Sequence, residues 1–341
     1  MKMLTGMAMA TAMAAVFTVT ADEAKPSEEG VKRIGVIGLD TKHAENFTKI
    51  VNFDRPEFAR GFKVTAAYKW GSPELKVSLE RYPAFVENVK KLGIKVYEDA
   101  ADFDKFLDEV DCVLLETLDG REHLWQAEKV FKSGKPCFID KPVAATWDDV
   151  KKVYAAAAKY KAKWFTSSGL RYSEVMQKAR KGEYGEVLGA DVVSPSHGEP
   201  EGTTSDYYWY GVHGIEPLFT IMGTGAESVR TARTPKGDIL TGVWKDGRIG
   251  TFRGLTVRGD LAVYGGYLLC KDPENPAKFQ KAVPLSGNPG YKPLVGEILR
   301  FFTTGELPVS NEETLEIYRF MEAAAISARE GGREVKLSEV E

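Results

Sequence analysis

The chain has 341 residues, of which 43% are hydrophobic and 28% are charged. This composition supplies ample apolar material for a core, and the length favours two domains. The formal net charge of −3, without any strongly basic stretch, argues against nucleic acid as a partner.

The N-terminal residues have the pattern of an export signal. Lys2 precedes an apolar run over residues 3–19, and small residues lead to Ala21, as a signal peptidase requires. We expect cleavage after Ala21, which gives a signal peptide over 1–21, a linker over 22–30 and an exported, periplasmic protein. The run is rich in Ala and Thr and precedes two acidic residues, so a stable membrane span is not expected.

Strand-like apolar runs then alternate with helical segments. The sequence predicts strands over 31–37, 63–70, 94–97, 111–117, 137–139 and 163–166. It predicts helices over 41–52, 73–92 with a break or kink at Pro83, 101–108, 121–132 and 146–159. This alternation predicts an α/β fold with a doubly wound parallel sheet, which we place in a first domain over 31–168.

The pattern changes after Arg171. The sequence predicts helices over 173–181, 212–222, 294–303 and 312–329, a strand over 185–193 and β-rich segments over 228–270. Turn residues at 234–237 and 245–247 predict hairpins. The second domain, over 169–341, is therefore expected to contain an antiparallel sheet.

A dinucleotide site is expected where the first strand meets the first helix. A helix N-terminus offers unpaired amide groups and a partial positive charge to phosphates. The usual Gly-x-Gly-x-x-Gly pattern keeps only its first glycine here, Gly38. Asp40 would bring a charge that repels phosphates, and His43 replaces the packing glycine, whereas Thr41 and Lys42 could compensate in part.

The end of the second strand bears on which dinucleotide is bound. An acid usually stands there to bind the adenosine ribose, but this chain has Lys69. A lysine suits a 2′-phosphate better, so the expected cofactor leans towards NADP over NAD. Trp70 could stack on the adenine, although both residues also suit an ordinary amphipathic strand end.

The short strand over 137–139 ends in Asp140, Lys141 and Pro142. Pro142 restricts Lys141 to extended backbone, so the lysine should project from the carboxyl end of the strand. In an open parallel sheet, ligands bind at that end. Lys141 is therefore a candidate acid/base group, with a solvated lysine as the alternative.

Several motifs resemble one oxidoreductase family when taken in order. They are the nucleotide loop, His123, Lys132-Ser133-Gly134-Lys135-Pro136, Asp140-Lys141-Pro142, Arg171-Tyr172 and Gly211-Val212-His213-Gly214-Ile215-Glu216. Together with C-terminal motifs, they make residues 31 to about 337 similar to the glucose–fructose oxidoreductase / inositol dehydrogenase / MocA (Gfo/Idh/MocA) family.

The resemblance implies an NAD(P)-binding Rossmann domain and a second α/β domain with an open, largely antiparallel sheet. It also implies oxidation or reduction of a sugar or cyclitol carbon. The family's Glu-Lys-Pro motif implies a catalytic role for Lys141, and its Gly-x-His-x-x-Asp motif implies an acid/base role for His213. Trp209 stands where many members have an aspartate, which removes a candidate proton-relay partner.

The expected sites follow from these motifs. Cofactor-binding residues are expected at Gly38, Asp40, Thr41, Lys42, His43, Lys69, Trp70, Thr117, His123, Asp140 and Lys141. Aromatic faces stack on the C–H faces of sugars, and substrate-binding residues are expected at Arg171, His197, Tyr207, Tyr208, Trp209 and Tyr210. No metal is expected, because no two histidines share a His-x-x-x-His spacing.

Three functions remain open at this point. The first is an exported oxidoreductase with tightly bound NAD or NADP that acts on a sugar, sugar derivative or cyclitol. The second is a lyase or hydrolase on the same scaffold, with or without a metal, and the third is a non-catalytic carbohydrate-binding protein. A homo-oligomer formed through the C-terminal sheet is expected in addition.

Overall fold

The computed structural model describes residues 30–196, 204, 207–256, 263–272, 274–275, 281–286 and 288–341. The predicted signal peptide, the linker before Gly30 and the predicted substrate residue His197 lie outside this range. Residues Val31–Glu341 form one compact unit that contains two sheets. In the part of the chain that is described, no helix is long and apolar enough to cross a membrane.

The first sheet has six parallel strands in the order β3-β2-β1-β4-β5-β6. The strands are β1 (Lys32–Ile37), β2 (Phe62–Tyr68), β3 (Lys95–Tyr97), β4 (Cys112–Leu115), β5 (Cys137–Ile139) and β6 (Trp164–Thr166). The connecting helices are α1 (Lys42–Lys49), α2 (Lys76–Lys91), α3 (Phe103–Asp108), α4 (Gly120–Lys132) and α5 (Trp147–Tyr160). The predicted doubly wound parallel sheet is confirmed, and its strand order reverses between β1 and β4, where ligands bind in such folds.

Two of the predicted helices differ from the observed ones. Helix α1 ends at Lys49, and the chain continues as a π-helical turn over Ile50–Asp54. Helix α2 runs through Pro83 without a break. A proline removes one helical hydrogen bond, and beyond it Val86 and Val89 are buried in a core shared with β1 and β2.

The second sheet has seven strands in the order β12-β11-β7-β10-β9-β8-β13. Its strands are β7 (Val187–Pro195), β8 (Ala226–Thr234), β9 (Gly237–Trp244), β10 (Ile249–Leu255), β11 (Gly265–Cys270), β12 (Lys281–Ser286) and β13 (Val335–Lys336). Its helices are α6 (Glu174–Arg180), α7 (Val212–Met222), α8 (Lys292–Thr304) and α9 (Asn311–Arg329). The pairing is antiparallel except between β7 and β10, and the two predicted hairpins form β8–β9 and β9–β10.

Helix α7 lies very close to the second sheet, which fixes the position of its first turn. A Cβ atom on Gly214 would come within 2.2 Å of the Phe252 ring on β10 and 2.6 Å of Ser194 Oγ on β7. Only glycine therefore permits this approach. Because His213 precedes Gly214 in the chain, the tight contact holds His213 at the edge of the sheet.

Helix α8 connects the C-terminal part of the chain to the first sheet. Its buried residues share a hydrophobic core with β1, β2 and β6. The ring of Phe301 on α8 meets that of Phe165 on β6 edge-on, with 5.0 Å between centroids. The residues preceding α8 are thereby held beside the amino end of α1.

Candidate active site

The junction between β1 and α1 has the geometry of a phosphate-binding turn. Gly38 has a φ of +90°, and a Cβ atom there would lie 2.4 Å from the Thr117 nitrogen that follows β4. The Thr41 hydroxyl caps α1 by accepting from the His43 amide at 3.2 Å. Lys42 is exposed in the first turn. Glycine is required here because two strand ends touch, and the helix begins immediately beyond.

Asp40 does not project from this turn but is buried beneath it. Its carboxylate accepts a hydrogen bond from the Leu118 amide at 2.9 Å and one from the Ser78 hydroxyl at 2.7 Å. Burial raises the pKa of Asp40 to about 6, and these hydrogen bonds oppose the shift. The carboxylate therefore leaves the amino end of α1 open to phosphates, with Lys42 beside it. On this observation, the turn fits an NAD(P) pyrophosphate.

The two residues predicted at the adenosine end already have partners in the protein. Lys69 Nζ lies 2.9 Å from Glu98 Oε2. The Trp70 indole packs edge-on against Trp125, with 5.0 Å between ring centroids. A 2′-phosphate would have to share Lys69 with Glu98.

Three side chains from separate segments converge at the carboxyl ends of β4 and β5. His43 Nδ1 lies 2.7 Å from Asp140 Oδ2 and 3.6 Å from Glu116 Oε2. Glu116 is wholly buried and Asp140 nearly so, whereas the His43 side chain is 18% exposed. We call these three residues the His43 cluster. The sequence predicted His43 and Asp140 as site residues but missed Glu116.

The three ionisable groups of the His43 cluster shift one another's pKa values. Burial and the charge of Asp140 raise the pKa of Glu116 to about 7. Burial acts to raise the pKa of Asp140 as well, but His43 holds it below its usual value. Burial lowers the pKa of His43, yet Asp140 and then Glu116 raise it to about 10. A cation at the His43 position is thus strongly favoured by the two carboxyl groups.

Lys141 and His213 meet at one aromatic side chain. Lys141 Nζ lies 5.7 Å from the centroid of the Tyr210 ring, and the His213 ring meets the same ring edge-on at 5.1 Å. The Tyr210 hydroxyl accepts from the Tyr264 hydroxyl at 3.3 Å. Lys141 follows β5 of the first sheet, and His213 begins α7 on the second. The fold therefore places both predicted catalytic residues around Tyr210.

A buried network beneath His213 fixes its orientation. His213 Nδ1 lies 2.8 Å from the Ser168 hydroxyl, and the Ser168 amide donates to Glu216 at 2.6 Å. Glu216 also accepts from Arg171 Nε at 2.7 Å, and Arg171 donates a second bond, to Glu313, at 2.8 Å. Ser168 is a positioning residue that sequence reasoning missed, since a serine after a strand carries no distinctive pattern.

Further predicted site residues also lie inside the protein instead of on a cleft surface. Arg171 is 1% exposed and engaged by two carboxylates, which accounts for its burial. His123 is fully buried between the Thr117 and Val143 carbonyl oxygens, at 2.7 and 3.3 Å. Tyr208 packs edge-on against Tyr318, and the Tyr207 hydroxyl donates to Asp238. Of the predicted aromatic run, Tyr210 contacts the candidate catalytic residues.

Comparison with solved structures identifies the fold. The scyllo-inositol dehydrogenase of Lactobacillus casei is 14% identical, with a TM-score of 0.67 over 90% of this chain and 98% of that one. An oxidoreductase from Agrobacterium radiobacter, solved with NAD⁺, L-tartaric acid and magnesium, is 16% identical, with a TM-score of 0.66 over 90% and 99%. An NAD-binding protein from Listeria innocua is 16% identical, with a TM-score of 0.64 over 89% and 96%.

Sequence comparisons locate the family signal in the first sheet. No curated protein sequence matches the chain significantly. Residues 32–167 match the Gfo/Idh/MocA family, described as an oxidoreductase family with an NAD-binding Rossmann fold. This match supports the expected enzyme class, an NAD(P)-dependent oxidoreductase, and confirms the resemblance stated from the sequence. The family match covers residues 32–167, and over that range the chain is similar to the Gfo/Idh/MocA oxidoreductase family.

Proposed function

We propose that the protein is an exported NAD(P)-dependent oxidoreductase that interconverts a hydroxyl and a carbonyl group on a sugar, sugar derivative or cyclitol. One observation carries the proposal, namely the approach of Lys141 and His213 to Tyr210 from two different sheets. Two proton-transferring side chains around one aromatic face suit a polyhydroxylated ring, whose C–H face stacks on the aromatic while a hydroxyl meets the lysine.

The roles of the protein groups follow from their positions. The amino end of α1 and Lys42 would hold the pyrophosphate. When bound, the dinucleotide supplies a nicotinamide ring that accepts or returns hydride. Lys141 binds the reacting hydroxyl and shares its proton with His213, while Ser168 holds the His213 ring through Nδ1.

Turnover with purified protein tests this proposal. We expect bound or added NAD⁺ or NADP⁺ to be reduced with at least one member of a panel of hexoses, sugar derivatives and inositols, measured by the absorbance of the reduced nicotinamide. Product formation by chromatography, without any nucleotide reduction, would contradict it. That outcome would favour a lyase or hydrolase, a second candidate for which the buried His43 cluster is the favouring observation.

Lys69 bears on the preference between NADP and NAD. We propose that NADP is preferred, because a cation there attracts a 2′-phosphate. Replacing Lys69 by Ala should weaken NADPH binding more than NADH binding in fluorescence titrations. Glu98, which pairs with Lys69 in the structure, moderates the effect. A loss that is equal for both nucleotides would remove Lys69 from the cofactor site.

The export proposal rests on the N-terminal pattern of residues 1–21. We expect the mature protein to begin at Asp22 when the full-length chain is expressed in a bacterium with a general secretion pathway. N-terminal sequencing of the periplasmic fraction measures this directly. An intact Met1 on protein recovered from the cytoplasmic fraction would contradict both the cleavage site and the location.

The outer face of the second sheet supports association of identical chains. Ile249 on β10 and Tyr267 on β11 are 52% and 55% exposed, and both lie on the face opposite α7. Exposed apolar side chains grouped on one sheet face often form an interface. We propose that identical chains associate through this face. Light scattering measures the mass of the particle in solution, and the mass of a single chain would contradict the proposal.

A further inference from the structure

The His43 cluster has the donor atoms and spacing of a site for a divalent cation. One imidazole nitrogen and two carboxylate oxygens lie within 4.8 Å of one another. Zinc–ligand bonds are about 2.0–2.2 Å long, so two ligands of one ion can be about 4.0–4.4 Å apart at most. The separations from His43 Nδ1, 2.7 Å to Asp140 and 3.6 Å to Glu116, lie within that limit.

A second observation points to a ligand at this place. The Glu116 carboxylate is wholly buried, and neither of its oxygens has a hydrogen-bond partner among the described residues. A buried carboxylate without hydrogen bonds is costly, and His43 Nδ1, at 3.6 Å, lies beyond hydrogen-bond distance. An ion between Glu116, His43 and Asp140 would satisfy this group.

The charges of the cluster agree with a divalent ion. As metal ligands, a neutral imidazole and two carboxylates together carry two negative charges, which one divalent cation balances.

We propose that His43, Glu116 and Asp140 bind one divalent metal ion of the zinc, manganese or iron(II) class. The donor set of one nitrogen and two oxygens suits these ions, which accept imidazole and carboxylate together. Three protein ligands leave at least one coordination position open, as in catalytic metal sites. Asp140 precedes Lys141, so an oxygen of the substrate bound at Lys141 is the fitting ligand for that position.

The metal site itself does not depend on the proposed function, since the experiment reads metal binding and not turnover. Only the substrate oxygen as a further ligand rests on that function. The purified protein is stripped with a chelator and dialysed against micromolar Zn²⁺, and bound zinc is measured by mass spectrometry of the elements. We expect about one zinc ion per chain. Glu116→Gln, which is nearly isosteric, should weaken zinc binding at least about 10- to 100-fold.

Asp111→Asn is the matched control, because it removes one carboxylate from an exposed ion pair with Arg33, at the opposite end of β4 from Glu116. Its zinc content should equal that of the wild-type protein. Wild-type protein that binds no zinc, or Glu116→Gln protein that binds it equally well, would overturn the proposal.

A measurement on the wild-type protein covers the case in which the Glu116 variant does not fold. Zn²⁺ should raise the thermal unfolding temperature of the chelator-stripped wild-type protein, because an ion that binds only the folded state stabilises it. Mg²⁺ at the same concentration serves as the reference, since it prefers oxygen ligands. An unfolding temperature that is the same with and without zinc would also overturn the proposal.

Discussion

Replacing Lys141 by Met should lower turnover by about a hundred- to ten-thousand-fold, the usual contribution of positioned acid/base groups. The side chain follows β5 and reaches Tyr210 at the edge of the sheet instead of entering a core, so the fold and nucleotide binding should change little. His213→Ala should have a similar effect on turnover. The double variant should lower turnover only a little more than the worse single variant, because the effects of residues that act on one proton are not additive.

Steady-state kinetics with the best substrate of the panel measure this effect. Lys132→Met is the matched control, because Lys132 is an exposed lysine at the end of α4, before β5 begins. It should turn over substrate at the wild-type rate. A turnover rate of the Lys141→Met protein within a few-fold of the wild-type rate would show that Lys141 does not share the proton of the substrate hydroxyl.

Replacing Arg171 by Met should destabilise the protein by about 3–5 kcal/mol, the range found when one partner of a buried ion pair is removed. Arg171 holds two buried carboxylates, Glu216 at 2.7 Å and Glu313 at 2.8 Å. Methionine retains much of the side-chain volume but leaves Glu216 without its cation. Glu313 keeps a second partner in Arg180 at 2.7 Å, which limits the loss on that side.

Urea unfolding followed by circular dichroism measures this difference. Arg33→Met is the matched control, because the ion pair of Arg33 with Asp111 is exposed, and such pairs contribute about 0–1 kcal/mol. If Arg171→Met unfolds at the wild-type urea concentration, Arg171 is not structural, and its predicted role in substrate binding regains support.

Most of the fold could be predicted because its signals are local. Apolar strands alternating with helices required a parallel sheet, and turn residues at 234–237 and 245–247 located the hairpins. Helix α2 shows the limit of such signals, since it continues through Pro83. Propensity alone predicts a break or kink there, because it does not include the burial of Val86 and Val89 in the core shared with β1 and β2.

The site was less accessible to sequence reasoning than the fold. Lys141 and His213 were predicted as catalytic residues from their motifs, and the fold brings both side chains to Tyr210. The role predicted for Arg171 depended on a side chain 142 residues away, because Glu313 holds the guanidinium in the core. No spacing rule could have revealed that pair.

The sequence predicted His43 and Asp140 as site residues, but their grouping with Glu116 could not be predicted, for a similar reason. Its members come from α1 and from the ends of β4 and β5, so they share no interval along the chain. The one available signal was Glu116 itself, an acid placed directly after four buried apolar residues in β4. An acid at such a position favours a nearby cation or hydrogen-bond donor, but the sequence does not indicate which side chain provides it.

The central claim is that this chain binds a nicotinamide dinucleotide for hydride transfer. Mass spectrometry of the solution released by denaturing freshly purified protein tests it most directly. We expect NAD(H) or NADP(H) at close to one molecule per chain. Folded protein from which the nucleotide has been removed should bind the same nucleotide when it is added back. Protein that releases no nucleotide, and that binds neither NADH nor NADPH in a fluorescence titration, would contradict the account.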